Sequence, residues 1–161
     1  MTASTAKRAT LQPDMSWVLE PLLVLPGVLH GLVLSADGMV QGTSPDLSRE
    51  AGEGASAMMS ALQGAARTLG ATFSGDLETQ VRQVVVETSN GFVFAVPAGD
   101  NTVLAVFAAH SVDMGVVTHH MQIQVNTLGR KVMTTKPRDT GPAADAAARA
   151  VASDGLTSGT A

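Results

Sequence analysis

Three tight-turn signals constrain this chain more than any other feature of its sequence. Ala36-Asp37-Gly38 separates the apolar segments 28–35 and 39–43, Asn90-Gly91 separates 80–88 from 92–97, and Gly99-Asp100-Asn101 separates 92–97 from 103–108. Each flanking segment has strand length, and all but the short 39–43 are rich in Val, Leu or Phe, so each signal reads as a hairpin turn. Strands joined this tightly must run antiparallel, because a parallel return needs a crossover of a dozen or more residues. A two-strand hairpin and a three-strand meander are therefore predicted.

Elsewhere the apolar period becomes helical. After Pro45-Asp46, the residues Ala55, Met58, Met59, Leu62, Ala65, Ala66 and Leu69 recur at three- and four-residue spacing, and Gly70 sits where a helix would end. Asp113 can cap a last helix in which Val117, Met121, Val125, Leu128 and Val132 form one stripe, with Arg130 and Lys131 suited to its C-terminal dipole. Asp14 can cap a short first helix holding Trp17, Val18, Leu19, Leu22 and Leu23, which Pro21 should kink or shorten and Pro26-Gly27 should stop. The order is helix, two strands, helix, three strands, helix. Five antiparallel strands with helices packed on them make an α+β fold, not a doubly wound one.

With 161 residues the chain has room for one domain with a real core. Residues 1–12 and 134–161 lack periodicity and read as disordered tails around a domain spanning 13–133. Alanine at 143–152 would suit a short helix, but Val151 is nearly its only sizeable apolar residue. Trp17 is the single tryptophan and tyrosine is missing, so the core must be aliphatic. The lack of cysteine excludes disulfides, thiolate metal sites and thiol nucleophiles, and suits a cytoplasmic protein.

Lys7 and Arg8 are followed by Gln12, Pro13 and Asp14, which is wrong for a signal peptide. The apolar stretch 17–34 is broken by Glu20, Pro21, Pro26, Gly27 and His30, so no membrane span is expected. A net charge of −4 without a basic run among aromatics argues against nucleic acid as a partner.

The chemistry-bearing residues are sparse. His119-His120 with His110 and Asp113 is the one cluster with a metal-site look, yet neighbouring helical residues point apart and no two histidines stand four residues apart. Ser35 and Asp37 belong to an ordinary hairpin turn, without the glycine pattern of a nucleophile elbow. No phosphate-binding glycine loop occurs, and Arg49 and Arg67 read as solubilising helix residues rather than an arginine finger. No catalytic residue, metal or cofactor is expected, and the chain is not read as an enzyme.

Several strings then fall in a familiar order: Trp17-Val18-Leu19, Pro26-Gly27-Val28, Ser35-Ala36-Asp37-Gly38, Asp46-Leu47-Ser48-Arg49, Gly91-Phe92-Val93-Phe94, Leu104-Ala105-Val106 and Asp113-Met114-Gly115. In order and spacing the chain resembles the bacterial branch of the Roadblock/dynein light-chain family, of the actinobacterial conservon type, from Asp14 to about Met133. It departs from relatives at Pro21. The resemblance implies a Roadblock/profilin-like α/β sandwich with a five-stranded antiparallel sheet, assembly into dimers, and service as regulator or platform for Ras-like small GTPases. Similar actinobacterial proteins are encoded beside a sensor-kinase-like protein and a small GTPase.

The central helix carries Gly54, Ala55, Ala57, Ala61, Gly64 and Ala65 on several faces where charge is usual. Each interior glycine costs a helix roughly 1 kcal/mol relative to alanine, so a close approach by another backbone would compensate. The bland alternative is packing on the chain's own sheet. Residues 81–87 correspond to the family's edge strand, which pairing with its own copy would satisfy, unless Arg82 and Glu87 alone blunt it. The expected interface with a second copy comprises Ala55, Met58, Met59, Leu62, Ala65, Ala66, Leu69, Val81, Gln83 and Val85. The expected function is a non-catalytic, homodimeric regulatory or scaffold module for a Ras-like GTPase system. The alternative, a small-molecule sensor with its ligand between sheet and helices, suffers from a core without convergent polar groups.

Overall fold

The structure, a computed structural model, describes residues 14–99 and 101–135, with side chains to residue 131. A 3-10 turn at Ser16–Val18 leads into α1 (Glu20–Leu23), followed by β1 (Val28–Ser35), β2 (Val40–Thr43), α2 (Arg49–Ser74), β3 (Val84–Thr88), β4 (Gly91–Pro97), β5 (Thr102–Ala108) and α3 (Met114–Thr135). The strands form one sheet in the order β2-β1-β5-β4-β3, antiparallel at every pairing. Element order and α+β class are as predicted. The expected tails lie outside the described residues, except that residues 134 and 135 still belong to α3.

The turns work as their residues require. Gly38 takes φ +89°, Ser35 donates its N–H to the Met39 carbonyl at 2.8 Å, and the Ser35 hydroxyl contacts Asp37 while accepting the Met39 N–H at 3.0 Å. Ser35 and Asp37 are thus a turn lock. Gly91, at φ +146°, has no room for a side chain, because a Cβ there would collide with the Ala108 carbonyl oxygen.

Two apolar layers enclose the sheet. On one face Val33, Phe94, Val96, Leu104 and Val106 pack against Val18, Leu19 and Leu22 and against Val117, Met121 and Leu128 of α3. Val125 is partly buried there, and the side chain of Val132 lies outside the described set. The Asp113 carboxylate accepts the Val116 N–H at 3.0 Å and so caps α3 as expected. Near the other end of α3, the Lys131 ammonium sits 3.7 Å over the Trp17 ring. On the opposite face, Leu32, Leu34, Ala95, Val103 and Ala105 pack against α2 through Met59.

Three boundaries differ from expectation. Asp14 holds the 3-10 turn, accepting the Ser16 hydroxyl at 2.6 Å and the Ser16 N–H at 2.9 Å, and does not cap a helix. Those bonds keep its carboxyl below the usual carboxylate range, the hydroxyl bond being the larger cause. Pro21 sits in the first turn of α1, where a missing N–H costs nothing. Second, α2 runs through Gly70 and ends at Gly75, which adopts φ +70° and donates its N–H to the Ala71 carbonyl at 2.9 Å. Gly70 stays helical, and a Cβ there would meet the Thr79 methyl at 3.0 Å. Third, β3 begins at Val84 rather than residue 80. Among the described residues its only neighbour is β4, and continuing their register would set Arg82 opposite Pro97, which has no N–H to give.

Candidate interaction surface

The 26-residue helix α2 has two apolar faces, of which the sheet covers one. Gly52, Ser56, Met59 and Gln63 recur at four- and three-residue steps and are buried against the sheet. Ser56 donates its hydroxyl to the Gly38 carbonyl at 2.7 Å, and Ser60 donates to the Ala36 carbonyl at 2.6 Å, which pins the helix over the β1–β2 turn. About 100° further around, by helical geometry, lies a second stripe of Ala51, Ala55, Met58, Leu62, Ala65, Leu69 and Phe73. Met58 is 75% exposed, Leu69 59% and Phe73 84%, and Leu77 just beyond the helix is 88% exposed. No charged residue occurs between Glu53 and Arg67. These apolar side chains form one contiguous stripe rather than scattered surface hydrophobics, which makes the stripe the candidate for an interaction surface.

The expected interface residues divide accordingly. Ala55, Met58, Ala65 and Leu69 stand exposed on the stripe, with Leu62 and Ala66 half-buried on its inner margin. Met59 instead points into the chain's own core, because the helix turns it from Met58 toward the sheet. Phe73 and Leu77 extend the exposed stripe past Gly70, the glycine expected to end the helix. Their signal was the same period continuing one more turn.

Among the described residues, one of the two sheet edges is covered and the other is not. At β2 the Met15 N–H bonds the Gln41 carbonyl at 2.9 Å and the Thr43 N–H bonds the Ser16 hydroxyl at 3.3 Å. At β3, among the described residues, no backbone group other than those of β4 makes a hydrogen bond. Val84 and Val86, paired with Ala95 and Val93, share the face on which α2 lies, while Val85 is exposed on the α3 face. Val81 and Gln83 precede the strand instead of forming part of it. Val81 is half-buried, and the Gln83 amide approaches the Thr118 hydroxyl at 3.4 Å.

Between the first half of α2 and the sheet lies an open groove of about 280 Å³, lined by Leu47, Ala51, Ala55, Met59, Ala105 and Phe107 among others, and almost wholly apolar. At its rim the His30 ring stacks on Phe107 with centroids 6.4 Å apart, and His30 Nδ1 lies 3.5 Å from the Asp46 carboxylate. The remaining polar clusters have local partners. His119 and His120 pack edge to face, His110 packs on Phe92 near Glu87, and Arg49 donates to Glu53 at 2.8 Å.

The family model for the Roadblock/LC7 domain matches residues 16–108. None of the curated proteins compared matches the chain. Among solved structures, a Roadblock/LC7 domain from Streptomyces avermitilis is 30% identical, with a TM-score of 0.69 over 74% of this chain and 98% of that one. MglB from Myxococcus xanthus is 13% identical, with a TM-score of 0.66 over 74% of this chain and 94% of its own. An MglB with a tetrameric arrangement is 18% identical, with a TM-score of 0.62 over 71% and 84% of the two chains. At those identities the MglB proteins share the fold alone. The match from the first turn to the end of β5, joined to 30% identity across nearly all of the Streptomyces domain, makes this chain a member of the Roadblock/LC7 domain family.

Proposed function

We propose that this protein is a non-catalytic regulatory module that works in the cytoplasm as a homodimer and binds a Ras-like small GTPase, with a sensor-kinase-like protein as a further partner. One observation carries the reading: among the described residues, the apolar stripe of α2 is uncovered in a domain whose β3 edge is also without a second strand. Burying both against a second copy removes apolar area from water and completes the edge pairing. The GTPase part rests on family membership.

Such a module acts through binding energy. A composite dimer surface that binds one conformation of a partner's switch loops more tightly shifts that population by the difference in affinity. No side chain of this domain need enter the partner's nucleotide site. The test is co-elution with light scattering against the small GTPase encoded nearest the gene, loaded with GDP or with a non-hydrolysable GTP analogue. Two copies of this chain should travel with the GTPase in at least one nucleotide state, and Met58→Asp should abolish the complex. Failure to bind in both states would overturn the proposal.

The second reading, a small-molecule sensor, draws support from the apolar groove beneath α2. A monomer stabilised against heat by a metabolite, and indifferent to the GTPase, would favour it.

A further inference from the structure

We propose that the groove beneath α2 is filled by the partner's Phe73, so that each copy supplies the plug for the other. The inference deepens the homodimer reading above and rests on it.

The stripe begins at Ala51 and ends at Phe73. Two antiparallel helices related by a two-fold axis can cover all of it only if the axis passes its midpoint, Leu62. Each half then extends about 16 Å from the axis. That placement, chosen for coverage alone, sets Phe73 against Ala51, Leu69 against Ala55 and Met58 against Ala66. On either side of the axis, where Leu62 meets its own copy, a large side chain meets a small one, and the two alanines opposite Phe73 and Leu69 are walls of the groove.

The sheet leads to the same place. The groove opens over the start of β1 and β4 and the end of β5, at His30, Val93 and Phe107. The later half of α2 passes the opposite end of the sheet, near Pro97, Gly99 and Thr102. Joining β3 to its own copy antiparallel turns the partner sheet end for end. The partner's later half of α2 is thereby brought to the end where this groove lies open.

Size and area agree as well. A cavity of roughly 150 Å³ accepts a benzene ring, and this groove offers about 280 Å³. Exposed side chains such as Phe73, Leu77, Met58 and Leu69 leave on the order of 100 Å² each in water, which over two copies, with the β3 edges, approaches the roughly 1,000 Å² of a specific interface. One consequence is that a ligand in the groove and the partner's Phe73 exclude each other.

The experiment is sedimentation equilibrium of wild type, Phe73→Ala, Ala51→Phe and the swapped double variant, each with and without decanoic acid as an apolar probe. Phe73→Ala should raise the dimer dissociation constant about a hundredfold or more and leave a groove that binds decanoate, whereas the wild-type dimer should bind none. Ala51→Phe alone should also weaken the dimer, and the double variant should recover to within about tenfold of wild type. Circular dichroism should be unchanged for Phe73→Ala, whose side chain lies mostly in water. An unaltered dissociation constant in Phe73→Ala, or stoichiometric decanoate on the wild-type dimer, would overturn the plug. If Val85→Arg separates the copies while Phe73→Ala does not, the seam stands and only the plug is refuted. A wild-type monomer at every concentration refutes both.

Discussion

Replacing Gly42 by alanine tests why one sheet edge is closed and the other open. A Cβ at this position would lie 2.6 Å from the Ser16 nitrogen, 2.8 Å from the Met15 carbonyl carbon and 3.0 Å from Ser16 Cα. All three are backbone atoms, so no side-chain rotation relieves the overlap, and the segment Met15–Ser16 must move outward by about 1 Å to restore ordinary contact. That displacement breaks the Met15–Gln41 and Thr43–Ser16 hydrogen bonds, each contributing about 1 kcal/mol. It also loosens Val18, which is fully buried, for about another 1 kcal/mol. The expected loss of about 3 kcal/mol lowers Tm by roughly 10 °C for a domain of this size. With β2 uncovered, the variant gains a second unpaired edge and should associate beyond the dimer as concentration rises. Urea denaturation and sedimentation velocity read the two effects. A Gly42→Ala protein that melts within about 2 °C of wild type, at unchanged mass, would refute the reasoning about both edges.

Two further outcomes are expected. Ser56→Ala leaves the Gly38 carbonyl without its 2.7 Å donor in a buried place, so the urea midpoint should fall by the equivalent of about 1–3 kcal/mol; an unchanged midpoint would mean that the serine does not tie α2 to the turn. Asp14 has a folded-state pKa below its ordinary value because Ser16 donates to it, so its contribution is complete above the ordinary carboxylate range and disappears as pH falls through the depressed value. Asp14→Asn should therefore flatten this part of the acid-unfolding curve, and a variant with the wild-type acid midpoint would count against the bond.

Much of the fold was legible because its decisive signals are local. Gly38 marks its turn by a positive φ with Ser35 and Asp37 locking it, Asn90 stands in the turn between Thr88 and Gly91, and Asp113 caps α3 through its own side chain. The pairing of β1 with β5 has no such record, since nothing near Val33 names Leu104 as its partner. Gly70 and Gly75 are both glycines that could end α2, and it is the positive φ of Gly75 that marks it as the cap. Val81 has the β propensity of Val84 but no strand opposite it, so propensity placed the start of β3 too early. The candidate surface was half legible for a related reason. Small residues without charge pointed to a second buried face on α2, but adjacent Met58 and Met59 can be told apart only once the sheet is in place. The groove, built from β1, the loop at Leu47, α2, β4 and β5, comes from five separate segments and leaves no single pattern.

Amide hydrogen exchange across a dilution series tests most directly whether the domain meets its own copy through β3 and α2. Above the dissociation constant, amides of Val84–Thr88 should gain protection while those of β2 stay as they are, and the gain should vanish on dilution as the mass returns to 16.4 kDa. A dimer in which the β3 amides exchange no more slowly than in the monomer would contradict that seam.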